Sequence, residues 1–325
     1  MLYSFFVEPQ GGGAQVDLRT DKIWHNGRFI PWDQAQIHVL SHVIHYGSAI
    51  FEGLRCYRTE RGPAVFRLRD HLVRLLKSCH IYRMDPPHGL EELHDAMLEL
   101  VRINQLQDSY LRPLVLRGFG SMGINPLKCP IETYLIAWRW GTYFGTEGLE
   151  EGIDAQVSSW NRLAPNTIPA LAKGTGQYLN SQLIRMEATL NGYDEGIALS
   201  TDGTISEASG MNLFLVAGNT VYTPPPSASI LLGVTRESAF TLLHDLGIPV
   251  VEQRLAREML YTADEVFLTG TAAEITPVRS VDRIQVGSGT RGPITRQLQE
   301  EYFALTSGKR ENDHGWLDYV YEGKV

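Results

Sequence analysis

Ala172-Lys173-Gly174-Thr175-Gly176-Gln177-Tyr178-Leu179 sets a lysine between an apolar pair and a glycine-rich turn. The turn runs into a helical pattern carried by Leu179, Leu183, Met186 and Leu190. A lysine at such a strand–loop–helix junction is expected to be partly desolvated. Desolvation disfavours the ammonium form, which frees the amine to attack a carbonyl carbon. Alone, Lys173 would read as a surface residue in a loop. The residues around it decide otherwise.

Downstream, short strands are predicted at 196–199, 205–207, 212–217 and 221–223, turning at Asp202-Gly203 and Gly218-Asn219. A helix is predicted over 235–246, strands over 249–253 and 265–269, and a last helix from Pro293. Upstream, 22–32 reads as a hairpin turning at Asn26-Gly27, and 50–57 with 64–67 as a strand pair. Asp70 opens a helix with Leu72, Leu75, Leu76 and Cys79 on its apolar stripe, and 91–103 forms a second. Strands follow at 110–116 and 133–138. Strands and helices without strict alternation predict an α+β class. The glycine-rich, acidic stretch 141–152 reads as an interdomain loop between a small α+β domain, 21–140, and a large domain, 153–325. Residues 1–20, with Gly11-Gly12-Gly13, read as a loose N-terminal leader.

With 325 residues, 43% hydrophobic and 20% charged, the chain is an ordinary globular protein with volume for two cores. A net charge of -8 and no basic run exclude a nucleic-acid surface. Three cysteines without paired spacing, Cys56, Cys79 and Cys129, predict a reducing, cytoplasmic setting. No apolar run is long enough for a membrane helix.

Glu207, between two strand-like runs and flanked by small residues, is expected to be hemmed in. A buried carboxylate calls for a cationic partner, and a protonated pyridine nitrogen would serve. Gly233-Val234-Thr235-Arg236 leads into a helix whose N-terminus could take an anion, or Thr235 could simply cap it. Gly270-Thr271-Ala272-Ala273-Glu274 has the small residues that let backbone amides approach an anion. Two other motifs are set aside. Gly287-Ser288-Gly289-Thr290-Arg291-Gly292 has the dinucleotide pattern, but too little chain follows for a βαβ unit. His38, His42 and His45 have helical spacing without a further ligand, so no metal site is expected.

Tyr46-Gly47-Ser48-Ala49-Ile50-Phe51-Glu52-Gly53, Tyr110-Leu111-Arg112-Pro113-Leu114, Ser158-Ser159-Trp160-Asn161-Arg162 and Ala172-Lys173-Gly174 resemble segments of the branched-chain aminotransferases. So do Gly192-Tyr193-Asp194-Glu195-Gly196-Ile197-Ala198-Leu199, Ile205-Ser206-Glu207, Gly233-Val234-Thr235-Arg236, and Gly270 through Val278. The segments keep their order from Ile23 to Leu317. The resemblance implies a fold-type IV enzyme using pyridoxal 5'-phosphate (PLP), with a small α+β domain, a larger β-barrel-like domain and the cofactor between them.

In that family's terms Lys173 is the catalytic residue and holds PLP as a Schiff base. Glu207 pairs with the ring nitrogen, Tyr178 bonds the phenolic oxygen, and Arg74, Val234, Thr235 and Thr271 fall at phosphate-binding positions. Tyr46, Phe51, Tyr110, Arg112, Ile124, Trp140, Tyr143, Thr271 and Ala272 match the substrate side. Tyr46 and Ile124 there come from a second subunit, implying a homodimer or homohexamer. The implied reaction exchanges an amino group between Leu, Ile or Val and 2-oxoglutarate. Met211, Arg117 and Arg139 depart from the pattern and leave substrate breadth open. D-amino-acid or (R)-amine transamination, an aminodeoxychorismate lyase-like reaction and an inactive binding scaffold are the alternatives.

Overall fold

A computed structural model describes residues 18–141 and 143–321. Most of the expected leader, 1–17, lies outside the described residues. Thr20, at its end, is buried and donates to the Ala137 carbonyl at 3.2 Å.

Two sheets organise the chain. The first contains β1 (Lys22–His25), β2 (Arg28–Pro31), β3 (Ala49–Phe51), β4 (Leu54–Thr59), β5 (Gly62–Phe66), β6 (Ser109–Arg117) and β7 (Ile131–Arg139). The second contains β8 (Ile153–Val157), β9 (Glu195–Leu199), β10 (Ile205–Ala208), β11 (Asn212–Ala217), β12 (Thr220–Thr223), β13 (Val250–Glu252), β14 (Glu265–Gly270), β15 (Glu274–Val281) and β16 (Ile284–Gln285). A last strand, β17 (Leu317–Tyr319), returns to pair with β5 in the first sheet. The helices are α1 (His42–Tyr46), α2 (Leu68–Ile81), α3 (Leu90–Ile103), α4 (Gly145–Glu150), α5 (Tyr178–Leu190), α6 (Val234–Asp245), α7 (Met259–Thr262) and α8 (Pro293–Thr306). The class is α+β, as the sequence predicts.

The first sheet runs β17-β5-β4-β6-β7-β1-β2, with β3 also on β6. Its pairs are antiparallel, and one face packs on the stripes of α2 and α3 through Leu72, Leu75, Leu93, Met97 and Leu100. The expected single strand over 50–57 is interrupted at Glu52-Gly53, and both halves pair with β6. A Cβ on Gly53 would lie 1.9 Å from the Tyr110 hydroxyl, so only glycine lets that tyrosine sit against the interruption.

The second sheet runs β10-β9-β8-β15-β14-β11-β12-β13. β10 and β11 are far apart in this order, yet the Ala208 amide donates to the Met211 carbonyl at 2.9 Å. The sheet therefore curls into a half-barrel. Phe214 and Phe267 of this sheet share a core with Tyr57 and Phe66 of the first and with α6 and α8. The stretch expected to be an interdomain loop contains α4.

The four apolar residues that give α5 its helical period, Leu179, Leu183, Met186 and Leu190, are exposed, Leu190 to 77%. Its buried face is Ser181, Ile184 and Ala188. α5 lies close on β9, where Gly196 makes room for Ile184: a Cβ on Gly196 would stand 2.8 Å from the Ile184 carbonyl oxygen. Gly196→Ala is accordingly expected to cost about 1–3 kcal/mol, read as a lowered melting temperature. An unchanged melting temperature would contradict this packing.

Candidate active site

Lys173 is fixed by its backbone before its side chain is considered. Its carbonyl accepts from the Phe51 amide of β3 at 3.1 Å, and its amide donates to Ser78 Oγ of α2 at 3.1 Å. Gly174 forms a bridge to Ile50. The glycine-rich segment is thus sewn to the first sheet, and α5 carries it on to the second. Lys173 itself is half-buried, and its Nζ donates to the Tyr178 hydroxyl at 2.7 Å.

Glu207 of β10 is 5% exposed, as its small neighbours suggested. Its Oε1 lies 2.8 Å from an Arg162 guanidinium nitrogen. Its Oε2 accepts from Asn212 Nδ2 at 3.1 Å and from the Leu231 amide at 3.0 Å. Burial raises the carboxyl's pKa in spite of Arg162, so further positive charge beside it would be welcome. Arg162 is buried too, and also donates to Asn180 Oδ1 and Ser181 Oγ.

Three elements assemble a pole with the chemistry to take an anion. Arg74 projects from α2, and two of its nitrogens clasp the Glu52 carboxylate at 2.6 and 2.8 Å, while a third donates to the Leu232 carbonyl at 2.6 Å. Glu52 is fully buried, and Arg74 and His71 together hold its pKa well below the usual carboxylate range despite that burial. The N-cap of α6 is Gly233, not Thr235. Val234 and Thr235 are the first two helical residues, preceding the first intrahelical bond, from the Glu237 amide to Gly233, so their N–H groups can face an anion. Thr271 closes the pole from the end of β14.

Arg74, Lys173, Tyr178, Glu207, Val234, Thr235 and Thr271, all the residues expected around the cofactor, line one chamber. Thr269 lines it as well, with a buried hydroxyl that has no partner within the protein. An amine, an acid with a raised pKa and a cationic, amide-rich pole suit a phosphorylated pyridine aldehyde, and the unsatisfied Thr269 hydroxyl leaves a polar contact for it.

A second chamber opens beside the first and shares Lys173, Tyr178, Met211 and Thr271 with it. Phe51, Tyr110, Arg112, Tyr143 and Ala272 line it, each a residue expected to meet substrate. The Arg112 guanidinium carbon sits 4.7 Å from the Phe51 ring centroid and 5.4 Å from that of Tyr110, and its buried Nε has no partner. Among the described residues no carboxylate pairs with it. Trp140 stands behind this wall, 5.1 Å from the Tyr110 ring and 6.5 Å from that of Tyr143, centroid to centroid. Tyr46 and Ile124 are not brought to either chamber, being 46% and 88% exposed on α1 and the 118–130 loop.

Three supports were not picked out from the sequence: Glu52 behind Arg74, and Arg162 and Asn212 on Glu207. A buried carboxylate signals that a cation must exist, but nothing along the chain says which one. The histidines behave as structural groups. His42 meets Ser48 Oγ and the Gly123 carbonyl, and His45 meets the Val39 carbonyl. Among the described residues there is no metal-binding cluster. Of the departures from the family pattern, Met211 lines both chambers, while Arg117 is buried and tied to the Pro126 and Tyr82 carbonyls.

Residues 49–281 match the family model for class IV amino-transferases. The chain is 50% identical over 303 residues to the branched-chain-amino-acid aminotransferase of Escherichia coli (strain K12), covering 93% of this chain and 98% of that protein. A crystal structure of the Escherichia coli branched-chain amino acid aminotransferase superposes with a TM-score of 0.91 at 50% identity, over 93% of this chain and 100% of the other. The branched-chain amino acid aminotransferase of Thermobaculum terrenum, solved in its PLP-form, gives 0.87 at 32% identity, over 93% and 99%.

Proposed function

The chain belongs to the class IV aminotransferases, and from that premise we propose that it moves amino groups between branched-chain L-amino acids (Leu, Ile, Val) and 2-oxoglutarate, with PLP bound at Lys173. The observation that carries this reading is the convergence of Lys173, Glu207 and the Arg74–α6 pole on one chamber, beside a second built of aromatic rings around Arg112.

Bound PLP supplies an electron-withdrawing ring that takes up charge when the substrate's Cα–H bond breaks. With the cofactor in place, Lys173 Nζ would take the proton from the substrate Cα and deliver it to the cofactor carbon on the other side of the shared nitrogen. Tyr178, accepting from Nζ at 2.7 Å, fixes the direction in which that amine points. Glu207 holds the proton on the ring nitrogen, and Arg162, Asn212 and the Leu231 amide keep its carboxylate from turning away. Arg74, stiffened by Glu52, and the first amides of α6 neutralise the phosphate. Two half-reactions use the same groups in ping-pong order.

On the substrate side, Tyr110, Thr271 and the Ala272 amide receive the α-carboxylate. Phe51, Tyr143 and Met211 offer an apolar wall to an aliphatic chain, with Trp140 behind them. Arg112, free of any carboxylate partner among the described residues, receives the distal carboxylate of glutamate. Arg112→Ala is therefore expected to raise KM for glutamate and 2-oxoglutarate by about 10–100-fold. Leucine should change by no more than a few-fold. Equal losses for both would contradict dual recognition.

Tyr46 and Ile124 complete the wall from a second copy of the chain. The His42–Gly123 contact joins α1 to the 118–130 loop, and these adjoining elements expose Ile44, Tyr46, Phe119, Met122 and Ile124, which supports self-association. Three free, buried cysteines support a cytoplasmic location, and among the described residues no helix could cross a membrane. The division at 141–152 into domains 21–140 and 153–325 belongs to the same proposal, with β17 crossing back from the second stretch to pair with β5 of the first sheet.

A panel of donors with 2-oxoglutarate tests the specificity. Turnover should be highest with L-leucine, L-isoleucine and L-valine. A preference for D-amino acids or (R)-amines, or release of pyruvate without an oxo-acid acceptor, would contradict it.

A further inference from the structure

Thr271, Ala272 and Ala273 form a three-residue turn between β14 and β15, closed by the facing pair Gly270 and Glu274. The residue after such a turn commonly adopts the left-handed conformation and is usually glycine or asparagine. Here it is Glu274, with φ at +57°. A residue with a Cβ is held there at a backbone cost, so its side chain must contribute something in return.

That side chain is 4% exposed and anchored to the other sheet. Tyr57 of β4 donates its hydroxyl to Glu274 Oε1 at 2.9 Å. Arg55, two residues earlier on the same strand, lies 3.3 Å from Oε2. The Tyr302 hydroxyl of α8 stands 3.2 Å from that of Tyr57. With Tyr57 donating to Glu274, the Tyr302 and Tyr57 hydroxyls link α8 to the carboxylate below the substrate turn. Hydrogen bonds in such a chain polarise one another. The Thr276 hydroxyl adds a bond to the Ala273 carbonyl at 2.7 Å, so the C-terminal side of the turn is held twice. Burial raises the Glu274 pKa against the pull of Arg55.

We propose that Glu274 is a positioning residue for substrate: hydrogen-bonded by Tyr57 and charge-paired with Arg55, it fixes the Thr271–Ala272 turn at the spacing the α-carboxylate needs. The assignment rests on the reading above, in which that turn receives the carboxylate. It predisposes the site for binding without touching the reacting atoms.

The test uses the PLP-loaded full chain with Glu274→Ala, Glu274→Gln, Glu274→Gly and Tyr57→Phe. Affinity for 4-methylvalerate, an unreactive aliphatic carboxylate, is measured by titration beside leucine KM, kcat, the cofactor absorbance band and the melting temperature. Glu274→Ala should keep the band and weaken both 4-methylvalerate binding and leucine KM by about tenfold or more, with a smaller change in kcat. Glu274→Gln, which still accepts from Tyr57, should recover to within about threefold. Glu274→Gly should melt no lower than Glu274→Ala, because the backbone cost is relieved, yet bind 4-methylvalerate as poorly. Should Glu274→Ala fail to fold, Tyr57→Phe carries the test with an expected loss of about three- to tenfold. Variants that melt lower but keep wild-type 4-methylvalerate affinity would show a purely structural role and overturn the proposal. A wild-type chain without leucine turnover would instead overturn the functional reading, and this assignment with it.

Discussion

Lys173→Ala is expected to lower transamination by on the order of 10⁴-fold or more and to abolish the absorbance band of the protein-attached cofactor. The size of the effect follows from two tasks falling on one atom. Nζ is both the point of attachment and the group that carries the proton, so its loss removes binding order and acid–base catalysis together. The fold should hardly notice. Lys173 is anchored through its backbone to Phe51 and Ser78, and neither bond uses the side chain. Losing the Nζ–Tyr178 bond should cost the cofactor-free protein about 0.5–1.5 kcal/mol. A variant that keeps the band and turns over leucine would remove Lys173 from the chemistry.

Glu207→Ala should be the next most damaging change, lowering kcat on the order of 10³-fold while PLP remains bound through Lys173 and the phosphate pole. It carries a second cost. Arg162, buried and 2.8 Å from Glu207, would lose its carboxylate and keep only Asn180 Oδ1 and Ser181 Oγ. An uncompensated buried guanidinium costs about 3–5 kcal/mol. Glu207→Gln separates the two effects, because it keeps an acceptor for the Leu231 amide at nearly the same volume. Its stability loss should be smaller and its kcat loss similar. The pH dependence has a definite sign. Burial raises the Glu207 pKa, so the folded, cofactor-free protein holds that proton more tightly than the unfolded chain. Wild-type stability should therefore fall as pH rises from the unfolded value through the folded one, and Glu207→Gln should remove that part of the slope. Near-normal kcat in Glu207→Gln would refute the assigned role.

Turn chemistry and period made most elements readable. Asn26-Gly27 marks the first hairpin, Pro293 is the first residue of α8, and the stripe of α2 is buried where Leu72, Leu75 and Cys79 predict. α5 shows the limit of period as a guide. Leu179, Leu183, Met186 and Leu190 repeat correctly for a helix but on the outer face, because close approach to β9 selects Ser181, Ile184 and Ala188 for the inner one. Thr235 shows another, since glycine can cap a helix without any side-chain bond and Gly233 does so. The chamber residues could be proposed because ordered segments bring their neighbours with them. Their supports could not. Glu52 is 22 residues from Arg74, and Arg162 is 45 from Glu207, so only the folded sheets reveal which charge answers which.

Borohydride reduction of the PLP-loaded protein, followed by peptide mass spectrometry, tests the central claim most directly. A phosphopyridoxyl group on the peptide containing Lys173, and on no other lysine, is the expected result. Label on a different lysine, or none on a protein that transaminates leucine, would contradict the account.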